Sequence, residues 1–167
     1  MADDLTLAQF ADAVASATPA PAGGSVAAVS AALAAALTGM VGRLARVKSE
    51  DNLGLADLVE SADRARLRLL DLADEDAKAF LAVIAARRAT EGTELARAEK
   101  LAKAWRKAAR VPSDVVLISR QVAQLAHRAA RQGPPSTIGD SVMAALIAAA
   151  TAAGSQINLR LNVQAAG

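Results

Sequence analysis

The chain has 167 residues, with 19 basic and 17 acidic side chains and a net charge of +2. It has no cysteine, one histidine, no tyrosine and only 2% aromatic residues. This excludes a disulfide framework, a thiol nucleophile and a multi-histidine metal site within one chain, and it leaves no aromatic platform or basic footprint for a nucleic-acid partner.

The length fits one domain, 1–167, with no internal repeat and no linker. Met1-Ala2-Asp3-Asp4 is acidic where a signal peptide needs a basic start, so no targeting segment is expected and the cytoplasm is the expected compartment. The pattern is helical throughout: alanine, the best helix former, dominates, and no stretch alternates with the period of two that a strand needs. Glycine and proline punctuation predicts an all-α bundle of about six helices.

The first predicted helix spans about Thr6 to Ser16, with Leu7, Phe10 and Val14 at spacings of three and four. Thr18-Pro-Ala-Pro-Ala-Gly-Gly-Ser-Val26 follows, a Gly-rich loop feeding a second helix from Ser25 to about Lys48. Ser25 is a good N-cap residue, and Gly23 and Gly24 allow close approach to backbone N–H groups that favour anions. The uncharged run Val26–Gly42 is rich in small residues and ends in Arg43 and Arg46, which fits a buried helix better than a membrane span. Ser49 to Gly54 reads as a loop, and a third helix runs from Leu55 to about Ala89, with a kink or break near Asp71–Asp74. After a break at Thr90–Thr93, a fourth helix runs to Arg110, where Val111-Pro112 should stop it. A fifth starts at Ser113 and ends at Gly133, read as a C′ glycine of the left-handed kind that closes helices. The loop Gly133-Pro-Pro-Ser-Thr-Ile-Gly139 leads into a last helix from Asp140 to about Asn162. The second and last helices are alanine-sized and uncharged, as in a bundle centre or a subunit interface, and a symmetric homodimer is expected.

Asp140 follows a Gly/Pro-rich loop and opens a helix, so it reads as a functional carboxylate, as an N-cap, or as both. Asn158 and Asn162 lie four apart and share a helix face, either as ligand contacts or at a solvated chain end. Lys48, at a helix C-terminus, and His127, among Gln124, Arg128 and Arg131, need no function. Arg97, Lys100, Lys103, Arg106 and Arg110 form a basic stripe that reads as a solvated face or as an attraction for an anion. Trp105 on that helix should pack along its apolar side, and Arg160 reads as a surface charge.

Five segments, in order, carry a family resemblance. Thr18-Pro-Ala-Pro-Ala-Gly-Gly-Ser-Val26 resembles TP-x-PGGGSV of the formiminotransferase-cyclodeaminase family. Asp74-Glu-Asp-Ala-Lys-Ala-Phe80 with Val83 resembles its D-x-DA-x-AF-x-x-V, and Ala108-Ala-Arg-Val-Pro112 its AA-x-VP. Gly133 to Asp140 is similar to GN-x-N-x-x-SD, and Asn158-Leu-Arg-Leu-Asn162 to NVRIN. Ala22, Pro134, Ser136 and Gly139 depart from the pattern. The resemblance implies formiminotetrahydrofolate cyclodeaminase or methenyltetrahydrofolate cyclohydrolase activity on a tetrahydrofolate derivative. It implies no metal and no cofactor beyond that substrate, while the composition and the small-residue run Val26–Gly42 predict no nucleic-acid and no membrane partner. It makes Asp140 the proton-transfer group or the pterin anchor. It adds Asp76 and Gly133 to Gly23, Gly24, Ser25, Asn158 and Asn162 as substrate contacts. The departures motivate one alternative, a non-catalytic folate-binding or interaction module of the same fold.

Overall fold

The computed structural model describes residues 5–47 and 53–167. Lys48 and most of the Ser49–Gly54 loop, together with Met1–Asp4, lie outside the described residues. The described residues form α1 (Leu7–Ala15), α2 (Gly23–Arg46), α3 (Leu53–Arg88), α4 (Glu94–Gln132), a single 3-10 turn (Pro135–Thr137) and α5 (Ile138–Ala166). The short α1 is closed by a capping box, in which Thr6 and Gln9 each bind the other's backbone N–H.

The four long helices pack in a ring, α2 on α3, α3 on α4, α4 on α5 and α5 back on α2, with α2 also reaching α4 across the centre. Short connections make sequential neighbours antiparallel. The core is built from Ala28, Ala31, Ala35, Leu69, Leu72, Val83, Val115, Val122, Ala144 and Ala148. Alanines on α2 and α5 let the helix backbones come close, and the leucines and valines of α3 and α4 fill the space between them. Among the described residues, two segments, Gly23–Arg46 and Pro135–Ala166, are long and apolar enough by length and composition to cross a membrane. In the bundle the first packs along α3 and the second along α4, and the outer face of α3 carries the ion pairs Arg64–Glu60 and Arg68–Glu75.

Four expectations are corrected. Among the described residues there are five α-helices rather than about six, because α4 passes through Pro112. α3 is one helix from Leu53 to Arg88, without a break at Asp71–Asp74. α2 starts at Gly23, two residues before Ser25, and its N-cap is Ala22, which makes no side-chain cap. α5 starts at Ile138 and ends at Ala166, so Asp140 sits in its first turn and is not its N-cap, and Asn158 and Asn162 lie within the helix, clear of a frayed end.

The proline has a specific compensation. With no N–H at Pro112, the carbonyl of Ala108, one turn earlier, loses its intrahelical donor. Asn162 Nδ2 of α5 donates to that carbonyl at 3.2 Å. Ala108 is buried, so an unmet carbonyl there is costly. Asn162→Ala is expected to destabilise the fold by about 1–3 kcal/mol in urea unfolding, and much less in a Pro112→Ala background, where the helix supplies its own donor.

Candidate functional site

The first turn of α2 lies against the middle of α3, and the C-terminal part of α5 completes a pocket with them. Its lining is Ala22, Gly23, Gly24, Asp76, Phe80, Ala108, Asn158 and Asn162, around a volume of about 160 Å³. The Gly-rich loop, the Asp76 segment and both asparagines, far apart in sequence, therefore meet in one place.

Asp76 is the centre of this arrangement. Its Oδ2 lies 3.2 Å from Ser25 Oγ, and the Ser25 backbone N–H also donates to the carboxylate. Ser25 is fully buried, and its hydroxyl donates to the Ala73 carbonyl at 2.9 Å. A carboxylate from α3 thus supplies the cap that Ala22 cannot, at the electropositive end of α2. Burial pushes the Asp76 carboxyl above the ordinary carboxylate range, and the two Ser25 hydrogen bonds pull against that shift without cancelling it.

Gly24 is required by space. A Cβ there would overlap the Asp76 carboxylate. A Cβ at Gly23 would meet nothing within 4 Å. As the first two residues of α2, both glycines present N–H groups with no acceptor inside the helix. Ala22 has an extended backbone (φ −138°, ψ −160°) open to any residue, so its departure from the family triplet leaves the loop's path intact.

The α5 asparagines differ in role. Asn162 is committed to the Ala108 carbonyl and forms the pocket wall. Asn158 is half-buried, four residues earlier, and lines the pocket together with Gly23. Phe80 and Ala108 line the pocket too, and sequence reasoning did not single them out as contacts. The signal for Phe80 was its place in the Asp74–Phe80 segment. Its ring lies 6.4 Å from that of Trp105, which packs on the core and carries Arg87 over its outer face at 5.9 Å.

Two predicted site residues are not brought here within one protomer. Asp140 lies at the other end of α5, roughly 27 Å from Asn158 at 1.5 Å per residue. Gly133 closes α4, with its N–H donating to the Ala129 carbonyl at 2.7 Å and φ at −77°, so it is not the left-handed terminator expected. Glycine is needed there because a Cβ would sit 2.6 Å from Val41 Cγ1 and 2.8 Å from the Ala129 carbonyl oxygen. His127, Lys100, Lys103, Arg106, Arg110 and Arg160 are exposed and away from the pocket lining.

A family model described as formiminotransferase-cyclodeaminase matches residues 6–166. Methenyltetrahydrofolate cyclohydrolase of Methylorubrum extorquens is 33% identical over 170 residues, covering 98% of this chain and 82% of that protein. Formimidoyltransferase-cyclodeaminase of Rattus norvegicus is 30% identical over 167 residues, covering 96% of this chain and 31% of that longer protein. Among solved structures, formiminotetrahydrofolate cyclodeaminase from Thermotoga maritima has the same fold, with a TM-score of 0.88 at 32% identity over 98% of this chain and 81% of that one.

Proposed function

The chain belongs to the formiminotransferase-cyclodeaminase family of folate one-carbon metabolism, and from that premise we propose that it opens or closes the ring that bridges N5 and N10 of a tetrahydrofolate. The observation that carries this reading is Asp76, a carboxyl with raised proton affinity at the N-terminus of α2, in a pocket walled by Phe80 and Asn158.

The chemistry needs one positioned group that can both take and give a proton. In the cyclohydrolase direction, water adds to the methenyl carbon, losing its proton to a base. One ring nitrogen then leaves and collects that proton. In the cyclodeaminase direction, N10 attacks the formimino carbon and ammonia leaves with a proton. Both pass through a tetrahedral carbon between two nitrogens, and both are within the reach of general acid–base catalysis without a metal. Asp76 is assigned the proton transfer. The Gly23 and Gly24 N–H groups face charge that develops on the tetrahedral centre, and Phe80 offers a ring face to the pterin. The acting unit in this reading is a homodimer, supported by the apolar side chains left exposed along α2 and α5.

The test follows the near-ultraviolet band of 5,10-methenyltetrahydrofolate. Decay of the band faster than in buffer means cyclohydrolase. Growth of the band from 5-formiminotetrahydrofolate, with ammonia released, means cyclodeaminase. Neither change, with folate still bound, would replace this reading by the non-catalytic binding module.

A further inference from the structure

The basic stripe of α4 has no place in the Asp76 pocket, and the structure divides it. Arg97 turns back on the connection before its helix, where it donates to the Gly92 carbonyl at 2.9 Å and to the Thr90 carbonyl at 3.4 Å. Arg110, further along the helix, joins Lys107 in lining a groove on the outer seam of α3 and α4. Arg68 and Lys78 line it from the α3 side, and its volume is about 520 Å³. Positions 75, 78, 79 and 82 of α3, and 107, 110, 111 and 114 of α4, follow spacings of three and four, so each set is one helix face.

Floor and walls of this groove differ in kind. Ala79 and Val111 are buried and belong to the core, so the floor is small, apolar and fixed. Arg68 is already committed: it pairs with Glu75 of its own helix and with Asp114 of α4 at 3.4 Å. Lys78, Lys107 and Arg110 are exposed, and among the described residues none of the three forms an ion pair. Three cations gathered on one groove repel one another, and a bound anion relieves that repulsion.

The lining also selects the anion. A single charge satisfies one of the three cations, so an anion with two or more charges gains most. The volume lies within the roughly 300–1,000 Å³ that hold a small-molecule ligand. Glu75 and Asp114 interrupt the positive surface, and Glu94 and Glu99 precede it on α4, so a long polyanion meets repulsion that a compact one avoids. Among the described residues no aromatic ring lines the groove, which leaves a nucleobase nothing to stack on. We propose that this groove binds a small multivalent oxyanion, a phosphate ester or a di- or tricarboxylate. Its charged groups sit on Lys78, Lys107 and Arg110, and its carbon body lies on Ala79 and Val111. The site is separate from the Asp76 pocket: Glu75, Lys78 and Ala79 line the groove, whereas Asp76 and Phe80 line the pocket. Binding here is therefore independent of the folate chemistry.

Calorimetric titration of the whole chain at low ionic strength, with pyrophosphate in one series and citrate in another, tests this directly. Saturable binding of one anion per chain is expected, weakening as salt is added. Pyrophosphate binding without citrate binding assigns the groove to phosphate esters, and the reverse assigns it to carboxylates. Saturation by neither probe would overturn the proposal, as would an RNA oligomer that binds more tightly than both.

Variants separate a built site from general attraction. Lys78→Gln, Lys107→Gln and Arg110→Gln should each weaken binding roughly tenfold, as expected for the loss of one charge-assisted contact. These side chains are exposed, so the variants should keep the wild-type Tm. Glu75→Gln should do the opposite and tighten binding severalfold, because it removes a repelling charge and releases Arg68 toward the anion. Lys100→Gln and Lys103→Gln make the same change in net charge on the same helix, outside the lining, and should leave affinity within about twofold. Equal losses at Lys103 and Lys107, or weaker binding in Glu75→Gln, would overturn the proposal by showing attraction without a site. A chain that turns over folate yet binds neither anion would refute the groove and leave the proposed function standing. Anion binding by a chain inert on both folates would do the reverse.

Discussion

Asp76→Asn is expected to lower turnover by roughly 10²–10⁴-fold while leaving the helix bundle folded. The amide keeps the shape of the carboxylate and can still accept from the Ser25 N–H, so the start of α2 stays capped. What it loses is the exchangeable proton. The kcat/KM profile should lose the limb assigned to this carboxyl, and substrate affinity should change far less than kcat.

Stability gives an independent readout with a definite sign. The folded Asp76 holds its proton more tightly than an unfolded carboxyl does, because burial penalises the charge. Its contribution to stability is therefore fully present below the ordinary carboxyl value of about 4, and is lost as pH rises through the higher folded value. Wild type should lose stability relative to Asp76→Asn across that window. Urea unfolding of both proteins from pH 4 to 8 checks this. A wild type that gains on the variant as pH rises would show a carboxylate favoured in its charged form and unsuited to the acid role.

Gly24→Ala should have the second large effect. The added Cβ cannot coexist with the Asp76 carboxylate where it stands, so either the first turn of α2 shifts or Asp76 swings away. Overpacking of this kind costs about 1–3 kcal/mol. Displacing a catalytic group by about 1 Å costs on the order of 10²-fold in rate. Gly23→Ala adds a methyl in open space and should keep the wild-type Tm. The double variant Gly24→Ala/Asp76→Ala should regain stability and stay inactive, separating the steric cost from the chemical one. Equal Tm losses for the two glycine variants would mean that the cost belongs to the loop itself.

Much of the site was legible because its parts are local signals. The Gly-rich loop before an uncharged run announced the start of α2, and the five ordered segments announced the family and put Asp76, Asn158 and Asn162 in view. What local rules missed is what a distant residue overrides. Pro112 reads as a stop until Asn162 supplies the donor it removes. Ser25 has the chemistry of an N-cap, yet its hydroxyl serves Ala73 and Asp76 while Ala22 takes the cap position. Gly133 has the identity of a helix terminator but is chosen for the room it leaves Val41. Asp140 drew attention through its loop and helix start. Its distance from Asn158 follows from the length of α5, which no local pattern near Asp140 discloses.

The bond between Asn162 and the Ala108 carbonyl has a consequence beyond satisfying one oxygen. An alanine-rich helix such as α5 offers its neighbours a nearly smooth surface. Sliding it along α4 by one turn, about 5.4 Å, would exchange one set of alanine contacts for another at little cost. Pro112 breaks that monotony by opening a single gap in the hydrogen-bond ladder of α4, and only a side chain with a donor at the matching height can fill it. The proline therefore acts as an address, fixing where α5 comes to rest. With it are fixed the height of Asn158 against Gly23 and the position of every apolar side chain that α5 presents outward.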